Sequence, residues 1–263
     1  MDTIEKTLKY YPLVMKYDDT SKFKEYKLPE GFRFKFFQPG DEQDWVDIHI
    51  ISGEFTDEEL ASVHFHEYYD DFIDELSERC VFIVDSNTGE KVGTATISKY
   101  YDEQYGYDAT VDWVAIKKEY QGKGLARPLI SKFMKIAHDN GHDRVLLHTQ
   151  THTWLAAKLY LDFGFEPIIE EEIMGWRILN TIINHDRLQS VGTVSNEDMY
   201  SRTYVMVANK IKEIYGNDIT YEIWDKNNMN KVYVRCNNQV LKFKFSIDSN
   251  GVSLEEDKVI KIS

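Results

Sequence analysis

Val114-Ala115-Ile116-Lys117-Lys118-Glu119-Tyr120-Gln121-Gly122-Lys123-Gly124-Leu125-Ala126-Arg127 reads as an apolar strand that runs into a glycine-containing turn, which in turn opens a basic helix. The first turn of a helix leaves several N–H groups without partners. The helix dipole adds roughly half a positive charge at that end. Gly122 and Gly124 carry no Cβ, so the backbone there can approach an anion closely. The cluster Gln121, Gly122, Lys123, Gly124, Leu125 and Ala126, with Arg127 behind it, therefore reads as a site for a phosphate or pyrophosphate.

Three phosphate loops compete for this stretch. A nucleotide P-loop needs GxxxxGK followed by Ser or Thr, and no such string occurs. A Rossmann turn needs a small residue at the position of Arg127, whose bulk would spoil close helix–strand packing. The pattern Q-x-x-G-x-G/A is met by Gln121, Gly124 and Ala126. A second string, Ala156, Leu159, Tyr160, Gly164 and Phe165, follows about 35 residues later in the form A-x-x-L-Y-x-x-x-G-F.

With both strings in place, the sequence resembles the GCN5-related N-acetyltransferase (GNAT) family from residue 32 to about 170. The resemblance implies that the turn holds the pyrophosphate of acetyl-coenzyme A. It implies that the backbone of Val114, Ala115 and Ile116 pairs with the pantetheine arm, and that Thr153 and Ala156 complete the cofactor site. The family often has Asn where this chain has Thr153. A threonine there can still cap the helix that follows.

The implied reaction is transfer of an acetyl group to a primary amine by direct attack in a ternary complex. Tyr160 is the candidate acid for the leaving thiolate, because a phenol of pKa near 10 is protonated at neutral pH. A core tyrosine on an apolar helix face is the alternative. Asp112 and His148 are the candidate bases, with water as a third possibility. Simple strand alternation sets Asp112, Val114 and Ile116 on one face and Trp113 and Ala115 on the other. His64 and His66 point to different sides of an expected helix, so no metal site is expected.

The chain has 263 residues, 31 basic and 45 acidic, for a formal charge of −14. Apolar residues at 42% and charged residues at 29% describe a soluble globular protein. No apolar run is long enough to span a membrane, and the first residues lack the apolar core of a secretion signal. Cys80 and Cys236 form no CxxC, which favours a reducing cytoplasm, although a disulfide between them stays open. An acidic chain is a poor partner for nucleic acid.

The charge is uneven. From Asp41 to Glu78 there are 14 carboxylates and no Lys or Arg, whereas Lys117 to Lys135 carries a net +5. Solvated helix faces account for such runs in general. Under the resemblance, the acidic helices wall the acceptor cleft, which points to a cationic small-molecule or peptide amine.

The expected fold class is α/β (mixed α+β), a central mixed sheet flanked by helices and followed by a small helix-plus-antiparallel-sheet domain. Residues 1–31 read as an irregular extension, 32–190 as the acetyltransferase-like domain and 191–263 as the C-terminal domain. Strands are expected at 32–37, 80–85, 91–99, 110–116, 144–149 and 165–169. Helices are expected at 41–52, 56–79 (a capping box from Thr56 to Glu59), 125–139 and 154–163. Ile173, Trp176, Leu179, Ile182 and Ile183 follow helical spacing. If that segment is a helix, the family's last strand must come from elsewhere. The C-terminal unit reads as one helix from Asn196 to Tyr215 and a four-strand meander. A homo-oligomer contact through it stays open, as does a non-catalytic role for the whole chain as an acyl-coenzyme A sensor or assembly module.

Overall fold

The computed structural model describes residues 4–55, 58–99, 101–170, 172–217, 219–224, 230–236 and 239–261. The expected capping box begins at Thr56, outside the described residues. The chain divides into two compact units. One holds Ile4 and Tyr11–Thr193, and the other holds Glu5–Tyr10 and Val194–Ser263.

The first unit is built on a seven-stranded mixed sheet of β1 (Pro12–Tyr17), β2 (Phe32–Phe36), β3 (Cys80–Asp85), β4 (Lys91–Ser98), β5 (Thr110–Ile116), β6 (Val145–Gln150) and β7 (Glu166–Ile168), in the order β2-β3-β4-β5-β6-β1-β7. Only β5 and β6 run parallel. Helices cover both faces. α1 (Glu42–Ser52) and α2 (Glu58–Tyr69) pack with Cys80, Phe82 and Val84 on one side. A short 3-10 stretch and α3 (Leu76–Arg79) lead from α2 into β3. On the other side, α4 (Ala126–Asp139), α5 (Trp154–Phe163) and α6 (Ile173–Ile183) share a core with Val81 and Ile83. Because both faces of β3 are buried, its sequence is a continuous apolar run rather than an alternation.

α4 forms where the spacing requires it. Leu129, Phe133, Ile136 and Ala137 are buried along one stripe, Pro128 sits in the first turn, and Gly141 at φ +83° ends the helix. The segment 173–183 is helical, and the seventh strand comes from the N-terminal region. β1 lies between β6 and β7, antiparallel to both. Residues 1–31 are therefore not an irregular extension throughout. α6 packs closely on β1: a Cβ on Gly175 would stand 2.7 Å from Leu13 Cδ2 and 2.7 Å from Tyr11 Cβ.

Other expectations are corrected. The helix expected over 56–79 breaks at Phe72, whose φ of −144° is not helical. The side chain of Thr153 makes no cap bond. Its hydroxyl is 3.0 Å from that of Thr149 and donates to the Gln150 carbonyl at 3.2 Å. Cys80 is free and buried, and burial pushes its thiol up to about 11.

In the second unit, α7 (Asn196–Met199) and α8 (Arg202–Tyr215) replace the single expected helix. Ser195 and Ser201 each accept a bond from the backbone N–H three residues on, so each starts its own helix. Tyr200 between them is extended and bridges to Leu8. Strands β8 (Thr220–Trp224), β9 (Lys231–Cys236), β10 (Gln239–Asp248) and β11 (Gly251–Lys261) form an antiparallel sheet in the order β11-β10-β9-β8. Val207 and Ile211 of α8 pack on Val232, Val234, Phe243 and Phe245.

Candidate active site

The site begins where β5 and β6 part. They pair only at Thr110 with Leu146 and at Val111 with Leu147. Beyond that point the β5 edge turns from β6 towards a cleft of about 560 Å3. Val114, Ala115 and Ile116 line the cleft, together with Gln121, Gly122, Gly124, Leu125, Ala126 and Arg127. Thr153, Ala156 and Tyr160 close it from α5 and the turn before it.

The turn has the form an anion needs. Gly122 and Gly124 adopt φ of +75° and +78°, the left-handed region that glycine enters without a Cβ penalty. The backbone N–H groups of Gly122, Lys123, Gly124 and Leu125 make no hydrogen bond among the described residues. α4 starts directly behind them, with no side-chain cap. Gln121 faces inward, and its amide nitrogen donates to the Ile116 carbonyl at 2.9 Å, which ties the turn to the strand end. The basic run is partly spent on structure. Lys117 is buried against Glu90 at 2.6 Å, Lys135 pairs with Asp139 at 3.0 Å, and Lys132 lies over the Phe36 ring at 4.7 Å. Lys123 does not line the cleft, and its ammonium stands 4.2 Å from the centre of the Tyr120 ring.

Residues 45–165 match the acetyltransferase (GNAT) family. That match marks a GNAT-like stretch within the first compact unit. A curated relative, the mycothiol acetyltransferase of Thermobispora bispora, is 28% identical over 150 residues, 53% of this chain and 48% of its own. The chain thus spans about half the length of that relative. Two solved structures share the likeness. The GCN5-related N-acetyltransferase from Sphaerobacter thermophilus has a TM-score of 0.48 at 18% identity, covering 59% of this chain and 48% of the other. The GNAT-family acetyltransferase from Colwellia psychrerythraea has a TM-score of 0.47 at 14% identity, covering 60% and 54%.

The candidate catalytic residues of this domain lie on two sides of the sheet. Tyr160 is 6% exposed and lines the cleft. Burial, with Glu54 nearby, holds its phenol well above the usual value. Asp112 is not on the face that alternation assigns to it. Thr96 pairs with Asp112 and Thr94 with Ala115, so β5 carries an extra residue there, and Trp113 takes a φ of +51°. Past the bulge, Val114 and Ile116 pack against the core shared with α4, whereas Trp113 and Ala115 pack with α1 and α2. Asp112 belongs with the second group, in the electrostatic reach of Tyr68 and Tyr69. Burial pushes its carboxyl up to about 7, and Ser98 partly offsets this.

His148 follows Leu147 on β6 as Asp112 follows Val111 on β5, so the parallel register sets both on the same face. His148 is exposed, with Asp102 3.5 Å from its Nε2. Neither Asp112 nor His148 lines the cleft that holds Tyr160. The structure therefore brings the turn, the strand edge and Tyr160 together, and sets the two candidate bases across the sheet.

The carboxylates of 41–78 are not all unopposed. Lys91, from β4, is paired with both Asp41 and Asp44, Lys35 with Asp41, and Glu75 with Arg79 and Lys99. These bases lie outside the acidic segment, and the sheet brings them to it. Among the described residues no cluster of three metal-ligating side chains occurs. Sequence reasoning missed Tyr26, Lys27, Ser52 and Glu54 as cleft residues. No local pattern marks them. Ser52 and Glu54 flank Gly53, the left-handed end of α1, and Tyr26 and Lys27 come from the N-terminal segment.

Proposed function

We propose that this chain is an acetyl-coenzyme A-dependent N-acetyltransferase acting on a primary amine of a cationic small molecule or peptide. One observation carries the reading. The backbone N–H groups of Gly122, Gly124 and Leu125, without hydrogen-bond partners among the described residues, belong to a left-handed glycine turn at the start of α4 that lines the same cleft as the buried Tyr160. A pyrophosphate fits such a turn, because the N–H groups and the helix dipole favour negative charge and no Cβ intrudes.

Acetyl-coenzyme A supplies an activated acetyl thioester, whose acetyl group passes to the amine nitrogen while the thiolate leaves. The chain's own residues handle position and protons. The turn holds the diphosphate, and the free edge of Val114–Ile116 orients the pantetheine arm. A strand N–H at the same edge faces the charge that develops on oxygen. Tyr160 keeps its proton to well above neutral pH and delivers it to the leaving sulfur. Asp112, poised near 7 on the opposite face of the sheet, accepts the proton lost by the amine, with His148 on the same face. The amine then enters from the α1–α2 side, where Glu58, Glu59, Glu67, Asp70 and Asp71 add negative charge.

The test is release of free thiol from acetyl-coenzyme A with a panel of polyamines, aminoglycosides and basic peptides, alongside calorimetry with coenzyme A. Amine-dependent thiol release at a rate that falls with ionic strength is expected. Cofactor binding without thiol release for any amine would leave only the non-catalytic sensor, and no binding would remove both.

A further inference from the structure

The segment before β2 crosses the first half of α4. Ser131, buried in α4, accepts a bond from the Tyr26 backbone N–H at 2.9 Å, and its hydroxyl donates to the Lys24 carbonyl at 2.9 Å. Pro29 of the same segment approaches the phosphate turn. A Cβ built on Gly124 would lie 3.8 Å from Pro29 Cγ. Tyr26 and Lys27 thereby become walls of the cleft. The ammonium of Lys24 lies 4.8 Å from the centre of the Tyr26 ring, and the guanidinium of Arg127 lies 5.9 Å from it. Phe163 backs the same ring at 6.1 Å.

Lys24, Lys27 and Arg127 make no ion pair among the described residues. In a chain of formal charge −14 this is unusual company. Elsewhere on the chain Lys91, Lys99 and Lys117 each hold a carboxylate. Glu25 and Glu30, on the same segment, do not line the cleft. Two cations held by one ring, with Lys27 beside them on the cleft wall next to the glycine turn, are arranged for a second phosphate.

We propose that Lys27 and Arg127, with Lys24 carried on the Tyr26 ring, form a subsite for the 3′-phosphate of coenzyme A. The subsite rests on the reading of the turn as a coenzyme A cradle and adds a specificity to it. Residues 24–29 lie outside the 45–165 stretch that matches the family, whereas Arg127 lies inside it. The 3′-phosphate is a monoester of about two negative charges at neutral pH. The cations meet it as exposed groups, so its contribution to binding falls as salt rises.

Calorimetry on the full chain with two ligands tests this without any variant. Coenzyme A is expected to bind at least tenfold more tightly than 3′-dephospho-coenzyme A at low salt, with the ratio shrinking at high salt. A double substitution, Lys24→Ala with Lys27→Ala, is expected to bring coenzyme A most of the way down to the affinity of the dephospho form. It should change the dephospho form by less than threefold. Equal affinity of the native chain for the two ligands overturns the subsite and leaves the cradle intact. If neither ligand binds, the cradle reading fails and the subsite fails with it.

Discussion

The side-chain amide of Gln121 donates to the main-chain carbonyl of Ile116 at 2.9 Å, so the residue that opens the turn is tied to the last residue of β5. The bond fixes the distance between the strand edge and the free N–H groups that follow. The proposed ligand, with a diphosphate at one end and a thioester at the other, needs that distance held.

Gln121→Ala should loosen the turn without unfolding the sheet. Coenzyme A affinity should fall by roughly fivefold, about 1 kcal/mol for one hydrogen bond. Calorimetry checks the affinity and a melting curve checks that the fold is kept. Unchanged affinity would mean that the turn is held by other contacts.

Tyr160→Phe preserves the ring that packs 5.8 Å from Phe165 and removes the proton. Cofactor binding should be retained, while the maximal rate of thiol release should fall by about a hundredfold or more, the usual contribution of a general acid. A variant as fast as the native chain would reduce Tyr160 to a packing residue.

The carboxyl of Asp112 titrates near 7 in the folded chain, above its ordinary value. Between roughly pH 4 and 7 the folded chain holds a proton that the unfolded chain has released, so stability falls as pH rises through that window. Asp112→Asn should match the native chain near pH 4 and exceed it near pH 8, by on the order of 2 kcal/mol in denaturant titrations. The rate of amine acetylation should rise with pH to a plateau above about 7 in the native chain, and this limb should vanish in the variant. A stability difference independent of pH would contradict the shifted carboxyl.

Gly175→Ala forces a methyl into atoms of Leu13 and Tyr11 that stand 2.7 Å away. The helix itself would gain from alanine, so a loss can come only from the contact with β1. Overpacking of this kind costs about 1–3 kcal/mol, which thermal denaturation reads directly. A melting point equal to or above the native one would show that α6 can slide off β1 without penalty.

The sequence carried the local half of this structure. The spacing of Leu129, Phe133 and Ile136 marks α4, and Ser86-Asn87-Thr88-Gly89 marks the turn between β3 and β4. Gly122 and Gly124, between a strand and a basic helix, mark the left-handed turn before α4. Each depends on residues within one or two turns of chain, where period and conformational preference act directly.

Tertiary structure decided the rest. Pro12–Tyr17 becomes a central strand because Val145–Gln150 and Glu166–Ile168 leave an edge on each side of it, more than a hundred residues away in sequence. The bulge at Trp113 moves Asp112 across the sheet, and only the pairing with Thr94 and Thr96 reveals the extra residue. Tyr26 and Lys27 reach the cleft because Ser131 holds their segment on α4. Period and propensity act over a few residues, whereas an unpaired strand edge, a buried carboxyl or a charged wall depends on what distant chain is packed beside it.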